Sequence, residues 1–308
     1  MKSMIQSRPC SMFLRLSVTF LIIAALSLQI GSGAASSIMA KSLEPKAEST
    51  PAPIVLEPSN SLPVAYRSIV INGAEGPKVL SQLKSELGEE KLSVLLKLNR
   101  LDARHLRAGV TILIPEQIED LIEYSPFPRR LEAAQETPKL ILVSLRVQAF
   151  AAYDYGDLTR WGPISSGKKA SPTPAGLYHT NWKSKATRSS INEEWLLPWY
   201  FNLDNKRGIA FHQYDLPGYP ASHGCLRLLE DDAAWIYGWA DQWTLSAGRR
   251  IEAYGTPVIV FGKYDYAKQA PWKQLLTDYS AASVTGSELE EAFRIEFPAS
   301  IAQARIQD

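Results

Sequence analysis

The sequence predicts a mostly β or α+β protein, in which a β-sandwich-like domain over residues 138–264 follows a small βααβ module over 64–117. Short β-rich stretches follow one another closely after Lys139, with few helical patterns between them. Upstream, two leucine-rich helical patterns lie between two β-prone stretches. The chain is 45% hydrophobic and 21% charged, which is enough apolar material for a packed core and excludes wholesale disorder.

The charge balance and the cysteine count exclude several classes of protein. With 33 basic against 32 acidic residues, the chain has no electrostatic footprint for nucleic acid, and we predict no nucleic-acid partner. Two cysteines are too few for a disulfide scaffold. Without a CxxC motif the chain also lacks the four ligands of a structural zinc site, so we predict no metal. We predict no cofactor either.

The N-terminus has the pattern of a secretory signal peptide, predicted over residues 1–35. A basic start precedes an apolar run from Leu16 to Ile30, small residues follow, and no acidic residue occurs before Glu44. The run is shorter than the roughly 20 apolar residues of a transmembrane helix, so an uncleaved membrane anchor is the alternative. Cleavage would remove Cys10 and leave Cys225 as the one thiol, outside the cytoplasmic membrane.

Residues 36–63 are rich in proline and predict an extended linker. The βααβ module then begins with a strand at Tyr66–Ile71 and closes with a strand at Val110–Ile114, before Pro115. A mixed, acidic connector is predicted over 118–137.

The second half of the module resembles a LysM-type module. The stretch Leu95–Pro115, "LLKLNRLDARHLRAGVTILIP", has the leucine-asparagine pair, the Leu106-x-x-Gly109 turn and the closing Ile-Pro of that pattern. The first half departs from it, because Glu75-Gly76-Pro77-Lys78 replaces the usual "GDTL" opening. The resemblance implies binding to the N-acetylglucosamine backbone of a wall glycan. The alternative is a small structural cap without a ligand.

The β-rich domain is predicted to consist mainly of strands, and the tail over 265–308 to be a helical appendage with Leu289, Ala292, Phe293 and Ile295 on one face. Large aromatic residues between Trp182 and Tyr200 favour core packing over a substrate wall. The predicted strands lie at Leu140–Val147, Gln148–Tyr155, Trp161–Ser166, around Gly208–His212 and at Thr256–Phe261.

The residues with the clearest chemistry are close together in the sequence. Two of the four histidines, His212 and His223, lie within thirteen residues of Cys225. Glycine and proline residues between them indicate a loop, and Leu229–Ala240 has the periodicity of an amphipathic helix. The other two histidines are expected to be ordinary surface residues, and a lone cysteine is often a small buried apolar residue.

A cysteine nucleophile needs a base, because only the thiolate attacks. Either histidine can accept that proton. The backbone amides of His223, Gly224 and Cys225 can converge on a developing oxyanion. Acidic residues 230–232 in the first helical turn oppose the helix dipole, so proton removal depends mainly on a histidine. Arg227 is able to anchor the loop or a substrate carboxylate.

Four ordered segments resemble the L,D-transpeptidase (YkuD-like) catalytic family. The sequence "SHGCLR" (Ser222–Arg227) with its upstream histidine matches the active-site signature of that family. "SSGK" (Ser165–Lys168), "TPAG" (Thr173–Gly176) and "GTPVIVFG" (Gly255–Gly262) match its other conserved segments in order. The resemblance implies a β-sandwich-like fold with Cys225 as the nucleophile.

The resemblance also implies roles for the surrounding residues. His212 is the implied general base, and the backbone carbonyl of Gln213 would orient its ring. His223, Gly224 and Cys225 would form the oxyanion hole, and Ser222, Gln213 and Arg227 would contact the substrate or shape its site. The interval from His212 to Ser222 is shorter than is usual in the family, which leaves both His212 and His223 as candidate bases.

The implied activity is acyl transfer on peptidoglycan in the periplasm or cell envelope. Cys225 would form a thioester with a tetrapeptide stem and release D-Ala. An amine of another stem would then give a 3→3 cross-link, an amine of a wall-attached lipoprotein would give protein attachment, and water would give L,D-carboxypeptidase activity. The resemblance further implies acylation of Cys225 by carbapenems.

Two other classes are less favoured. NlpC/P60 peptidases place the cysteine before the histidine, whereas both candidate bases here precede Cys225, and sortases place their arginine farther downstream. A non-catalytic wall-binding protein that acts through its LysM-like module is the remaining alternative.

Overall fold

The computed structural model describes residues 65–72, 76–118 and 120–294. All of these belong to one unit of the chain, Thr50–Asp308. The predicted signal peptide and the predicted linker over 36–63 lie outside the described residues. No helix within the described ranges is long and apolar enough to cross a membrane.

The N-terminal module has the predicted β-α-α-β order. Strands β1 (Tyr66–Val70) and β2 (Thr111–Pro115) pair antiparallel, with Tyr66 opposite Pro115. Between them lies α1 (Gly76–Leu98), in which Gly88 has φ 79° and ψ 168° and separates two helical segments. Glycine adopts such a backbone at no steric cost, so one residue joins the two helices without a longer loop.

The larger part of the chain forms two main sheets. The first has the order β5-β4-β3-β13-β6, in which only β3 and β13 are parallel. It consists of β3 (Lys139–Ser144), β4 (Ala149–Asp154), β5 (Asp157–Pro163), β6 (Gly176–His179) and β13 (Pro257–Phe261). The second has the order β10-β9-β8-β7 and consists of β7 (Lys183–Arg188), β8 (Leu196–Asp204), β9 (Ile209–Gln213) and β10 (Leu226–Leu228). Short strands β11 (Thr244–Leu245) and β12 (Ile251–Ala253) form a separate ribbon.

The two sheets pack against each other, and α2 (Glu230–Trp239) covers the same core. Ile141 of β3 and Val258 of β13 meet Phe201 and Phe211 of the second sheet in this layer, and all four are almost fully buried. This packing, with few helices, confirms the predicted mostly β fold.

The outer face of the first sheet is buried as well. β3 is accordingly a continuous apolar run and not an alternating one, as expected for a strand that is buried on both faces. Phe127 and Leu131 of the predicted connector cover it, together with Leu98 of α1. Residues 286–294 form a helix, α3, whose Leu289 and Phe293 join the same cluster. The helical pattern of the tail is therefore present, but α3 packs into the core where the sequence predicted an appendage.

A buried ionic cluster joins the module to α2. Lys97 Nζ of α1 lies 2.7 Å from Asp232 Oδ1 and 3.1 Å from Asp231 Oδ2. Arg160 of β5 donates to the same Asp232 oxygen at 2.8 Å. Burial raises the pKa of Asp232, and the two cations oppose that shift. The acidic first turn of α2 is therefore largely neutralised by basic side chains from two other elements.

Candidate active site

The register of β9 and β10 places three predicted site residues on one face. The strands are parallel, with Arg227 opposite His212 and Leu226 opposite Phe211. Since side chains alternate along a strand, Cys225 and Arg227 point the same way as His212. Phe211, Leu226 and Leu228 point into the core on the other face. A histidine, a thiol and a guanidinium thus meet although up to fifteen residues separate them in the sequence.

The crossover loop, residues 214–225, connects the two parallel strands and is fastened to the SSGK segment. Ser165 pairs with Arg227 through two backbone hydrogen bonds of 3.0 and 3.1 Å. The backbone of Ser222 accepts from the amide of Lys168 at 2.9 Å and donates to the carbonyl of Ser166 at 3.0 Å. These contacts hold both ends of the segment that contains Cys225.

The TPAG segment also supports this loop, through hydrogen bonds of the Thr173 side chain. Thr173 Oγ1 accepts the amide of Gly167 at 2.9 Å and donates to the carbonyl of Gly224 at 2.8 Å. A Cβ at Gly167 would lie 2.2 Å from the Ser171 carbonyl oxygen, so only glycine fits this approach. The two segments that resembled the family on sequence therefore support the cysteine loop directly.

His212 has the properties of a neutral base. It is 4% exposed, and its Nδ1 lies 3.0 Å from the Gln213 carbonyl. Because a carbonyl only accepts, Nδ1 carries the proton and Nε2 is the basic nitrogen. Burial lowers the pKa of His212 to about 4, the Gln213 hydrogen bond raises it, and Arg227 lowers it further. The predicted orientation by the Gln213 carbonyl corresponds to this contact.

The Cys225 thiol is partly buried and protonated at rest. Its Sγ donates to the carbonyl of Gly208 at 3.2 Å. Burial raises its pKa, whereas the Ala210 amide and Arg227 lower it. With the pKa of His212 lowered and that of Cys225 raised, the resting pair is imidazole and thiol.

His223 occupies a different environment. Its ring is exposed, and Nε2 lies 2.8 Å from Lys168 Nζ. Since an ammonium only donates, Nε2 accepts this bond and is already occupied. Slight burial, Lys168 and Arg227 each lower the pKa of His223. Its ring lies 5.3 Å from that of Trp195 at the edge of the site.

Two predicted site residues, Ser222 and Gly224, are hydrogen-bonded to each other in the structure. The Gly224 amide donates to Ser222 Oγ at 3.0 Å, so only the amides of His223 and Cys225 remain as the expected oxyanion donors. Ser222 Oγ in turn donates to the Cys225 carbonyl at 2.6 Å. Its hydroxyl therefore shapes the loop, and a contact of Ser222 with the substrate stays a prediction.

Arg227 faces the site and stacks on an aromatic ring. Its guanidinium carbon lies 4.6 Å from the centre of the Tyr214 ring. Burial lowers its pKa, and Tyr214 and Asp215 are the leading groups that raise it. An arginine remains charged under these conditions, so the site has one fixed positive charge beside the sulfur.

A pocket of about 40 Å³ joins these groups. Five of the seven predicted site residues line it, and the other two, Gly224 and Gln213, are not among its lining residues. Tyr214, two residues from His212, was not predicted as a site residue. The ring of Tyr200, which was predicted as a core aromatic, stacks 6.5 Å from that of His212. The lining residues are Ser189, Ile191, Trp195, Leu197, His212, Tyr214, Ser222, His223, Cys225 and Arg227.

The aromatic stretch and the other histidines differ in part from expectation. Tyr200 packs in a cluster, as predicted for a core aromatic, but Trp195 lines the pocket. His105 Nδ1 lies 2.8 Å from Asp102 Oδ1. His179 packs with its ring 4.8 Å from that of Tyr254, and burial lowers its pKa to about 4. Neither is a free surface histidine.

The domain that contains this pocket has known relatives. Residues 138–260 match the YkuD family model, the L,D-transpeptidase catalytic domain. This match confirms the resemblance drawn from the four ordered segments and assigns the domain to a family of transpeptidases. It covers less than half of the chain, and the LysM-like resemblance of the module stays a prediction.

Solved L,D-transpeptidase structures are similar to the same part of the chain. One from Stackebrandtia nassauensis is 22% identical over 42% of this chain and 58% of that chain, with a TM-score of 0.34. One from Mycobacterium smegmatis is 21% identical over 41% and 59%, with a TM-score of 0.33. The catalytic domain of the E. faecium enzyme is 25% identical over 40% and 96%, with a TM-score of 0.31.

This chain spans less than two thirds of the first two of these relatives, and all three TM-scores lie below 0.5. A search of curated proteins found no match. The function proposed below therefore rests on the family match and on the geometry around Cys225.

Proposed function

We propose that this protein is an exported, cysteine-dependent L,D-transpeptidase that acts on the tetrapeptide stems of peptidoglycan. The observation that supports it most is the neutral His212, held by the Gln213 carbonyl, in one pocket with the Cys225 thiol and Arg227. A base with a lowered pKa beside an acid with a raised pKa is the arrangement expected where a proton moves only as the reaction proceeds.

In the acylation step, His212 Nε2 takes the thiol proton as Cys225 Sγ attacks the carbonyl between the third stem residue and the terminal D-Ala. The fixed charge of Arg227 stabilises the thiolate. The amides of His223 and Cys225 are the donors available to the tetrahedral oxyanion. The imidazolium then gives its proton to the departing D-Ala amine, the C–N bond breaks, and a thioester on Cys225 remains.

In the second step an amine attacks the thioester and releases the thiol. A side-chain amine of another stem gives a 3→3 cross-link, and a lysine amine of a wall-attached lipoprotein gives protein attachment. If water attacks, the outcome is L,D-carboxypeptidase activity. These three reactions share every residue named above and differ only in the nucleophile.

The cellular location belongs to the same proposal. The basic, apolar and small-residue order of residues 1–35 supports export to the periplasm or cell envelope. Membrane association would then occur only through an uncleaved signal. We also propose that the LysM-like module contacts the glycan of the substrate. Fractionation of cells that express the full chain, followed by intact mass of the mature protein, tests export and cleavage.

The deciding experiment incubates the mature protein with purified tetrapeptide muropeptides, with and without an amine acceptor, and measures products by mass. We expect loss of D-Ala and a cross-linked or amine-coupled product, both absent from Cys225→Ala. Hydrolysed tripeptide as the sole product would support the carboxypeptidase outcome. Identical products from wild type and Cys225→Ala would refute the catalytic proposal and favour a wall-binding protein. Incubation with meropenem should add one acyl adduct to wild type only.

A further inference from the structure

The crossover loop is held at two places by two different parts of the chain. Its C-terminal half is fastened to Ser165, whose Oγ donates to the Tyr219 carbonyl at 2.7 Å and accepts the Ala221 amide at 3.1 Å. Its N-terminal half, residues 214–218, contacts the N-terminal module instead. The module side of this second attachment lies outside residues 138–260, the range that matches the family.

Asp102 makes the central contact of the second attachment. It follows α1, is 8% exposed, and its Oδ2 accepts the backbone amide of Leu216 at 2.8 Å. The Asp102 amide donates to the Leu216 carbonyl at 3.0 Å, so the two residues are joined by a pair of hydrogen bonds. The other carboxylate oxygen, Oδ1, accepts the amides of Arg104 and His105 and caps the short 3-10 turn that follows.

Neighbouring residues extend this attachment on both sides. Leu101 forms a backbone bridge with Pro217, and Arg104 forms an ion pair with Asp215. Gly218 has φ 85°, and a Cβ there would meet Leu101 Cδ2 at 3.0 Å. The loop backbone therefore follows the surface of the module closely over four successive residues.

The Tyr214 side chain connects this attachment to the residues around Cys225. Leu216 is fully buried and lies two residues after Tyr214. Tyr214 stacks on Arg227, which lines the pocket beside Cys225 and lowers the pKa of its thiol. The Tyr214 amide donates to the Leu228 carbonyl at 3.2 Å, and the Leu216 amide donates to Asp102, so these two bonds fix the backbone on both sides of the turn from which the Tyr214 ring reaches Arg227.

We infer that Asp102 is a positioning residue of the active site, and that the N-terminal module is a structural part of that site rather than only a separate binding unit. By holding Leu216, Asp102 keeps Tyr214 against Arg227 and keeps Arg227 beside the sulfur. The inference rests on the proposed function for its effect on turnover, but its effect on the thiol is independent of any substrate.

The test compares Asp102→Asn with Asp120→Asn in the full mature chain. Asp120 is a matched control, because it also caps a short 3-10 turn but makes its bond to Ile122 and not to the crossover loop. Two quantities are measured: the pH midpoint of Cys225 alkylation by iodoacetamide, and kcat/KM for D-Ala release. For Asp102→Asn we expect a higher alkylation midpoint and a fall in kcat/KM of about tenfold. Asp120→Asn should match wild type in both.

A second pair of variants approaches the contact from the loop side. Gly218→Ala and Gly109→Ala place the same residue at φ 85° and 82°, but only the former Cβ contacts the opposite surface. Gly218→Ala should reproduce the effects of Asp102→Asn, and Gly109→Ala should not. Within each pair the two variants have the same substitution in a similar local conformation. The control variant therefore measures the loss of stability that does not come from the contact between the loop and the module.

Unchanged alkylation midpoints in both Asp102→Asn and Gly218→Ala would overturn the inference. The inference would also fail if the fall in kcat/KM were proportional to the fall in the folded fraction measured by a thermal melt. The contact would then have a purely structural role. If the midpoints shift while even wild type releases no D-Ala, the positioning inference stands and the proposed function fails.

Discussion

Two of the places where the described part of the chain buries ionisable side chains, the module interface and the active site, are built on opposite principles. At the module interface, Lys97 and Arg160 both donate to Asp232, so opposite charges compensate one another. At the active site, His212 and Cys225 are both neutral at rest, because burial lowers one pKa to about 4 and raises the other. The first region is a set of permanent charges with fixed partners, and the second is an acid and a base that have not yet exchanged their proton.

The ion cluster around Asp232 and the His212–Cys225 pair are expected to contribute to different properties, the first to stability and the second to turnover. A compensated ion cluster holds two elements together, and removing one partner leaves an uncompensated buried charge. An uncharged acid–base pair contributes little to stability, and in the proposed function it exchanges its proton only when a substrate carbonyl arrives. Substitutions in the first region should therefore affect stability, and those in the second should affect turnover.

The largest effect is expected from Cys225→Ala. It removes the nucleophile, so D-Ala release should fall by about four orders of magnitude or more. The thermal midpoint should stay near that of wild type, because the side chain is small and only partly buried. The measurement is muropeptide turnover beside a thermal melt. A large loss of stability would place Cys225 among the supporting residues and break the comparison.

The two histidines should differ strongly. His212→Ala removes the base and should slow acylation by about 100- to 10,000-fold. His223→Ala removes an exposed ring bound to Lys168 and should change the rate by no more than about threefold. Acylation of Cys225 by meropenem, followed by intact mass against time, measures both. Full acylation in His212→Ala would assign the base to His223.

Lys97→Ala should act on stability alone. Truncation leaves Asp232 with Arg160 as its remaining cation in the cluster, and loss of a partner from a buried pair typically costs about 3–5 kcal/mol. Denaturant unfolding measures the loss, and Lys84→Ala is the control, since its ion pair with Glu89 is exposed. The rate of Cys225 acylation in the folded fraction should be unchanged. A slower rate in folded protein would show that the two regions are coupled.

The smallest expected effect is that of pH on acylation. Because the pKa of His212 is about 4, the base stays unprotonated down to that pH, and the rate should change less than about twofold between pH 8 and 5. An imidazole in water would lose most of its base form over the same range, since its pKa is about 6.5. Meropenem acylation across pH 4–8, with folding followed by circular dichroism, is the measurement. A half-maximal rate near pH 6.5 would indicate a solvated histidine.

Local patterns in the sequence predicted much of the architecture. The alternation and β-richness after Lys139, the helix before Trp239, and the βααβ order all correspond to observed elements. The packing of α3 and of the connector was not predicted. Apolar residues such as Phe127 and Leu289 stand in mixed sequence, so the sequence did not indicate what they pack against. They cover the outer face of the first sheet, where β3 is buried on both faces.

For the site, the sequence identified the groups but not their states. The SHGCLR segment and His212 indicated a thiol with a base nearby. It left open which histidine is the base, because both lie at short range from Cys225 along the chain. The register of β9 against β10 and the bond from Lys168 to His223 favour His212, as the proposed function has it, and both depend on pairing between distant segments.

The amino-acid order alone determined the chemical inventory around the site: the Cys225 thiol, two histidines near it, an arginine two residues on, and the glycines and prolines that permit the loop. Tertiary structure decided the protonation states, the occupied amide of Gly224, and the contact between Asp102 and Leu216. The physical reason is that pKa and hydrogen-bond pairing depend on what surrounds a group in space, and those surroundings come from strands and modules that are far apart in the chain.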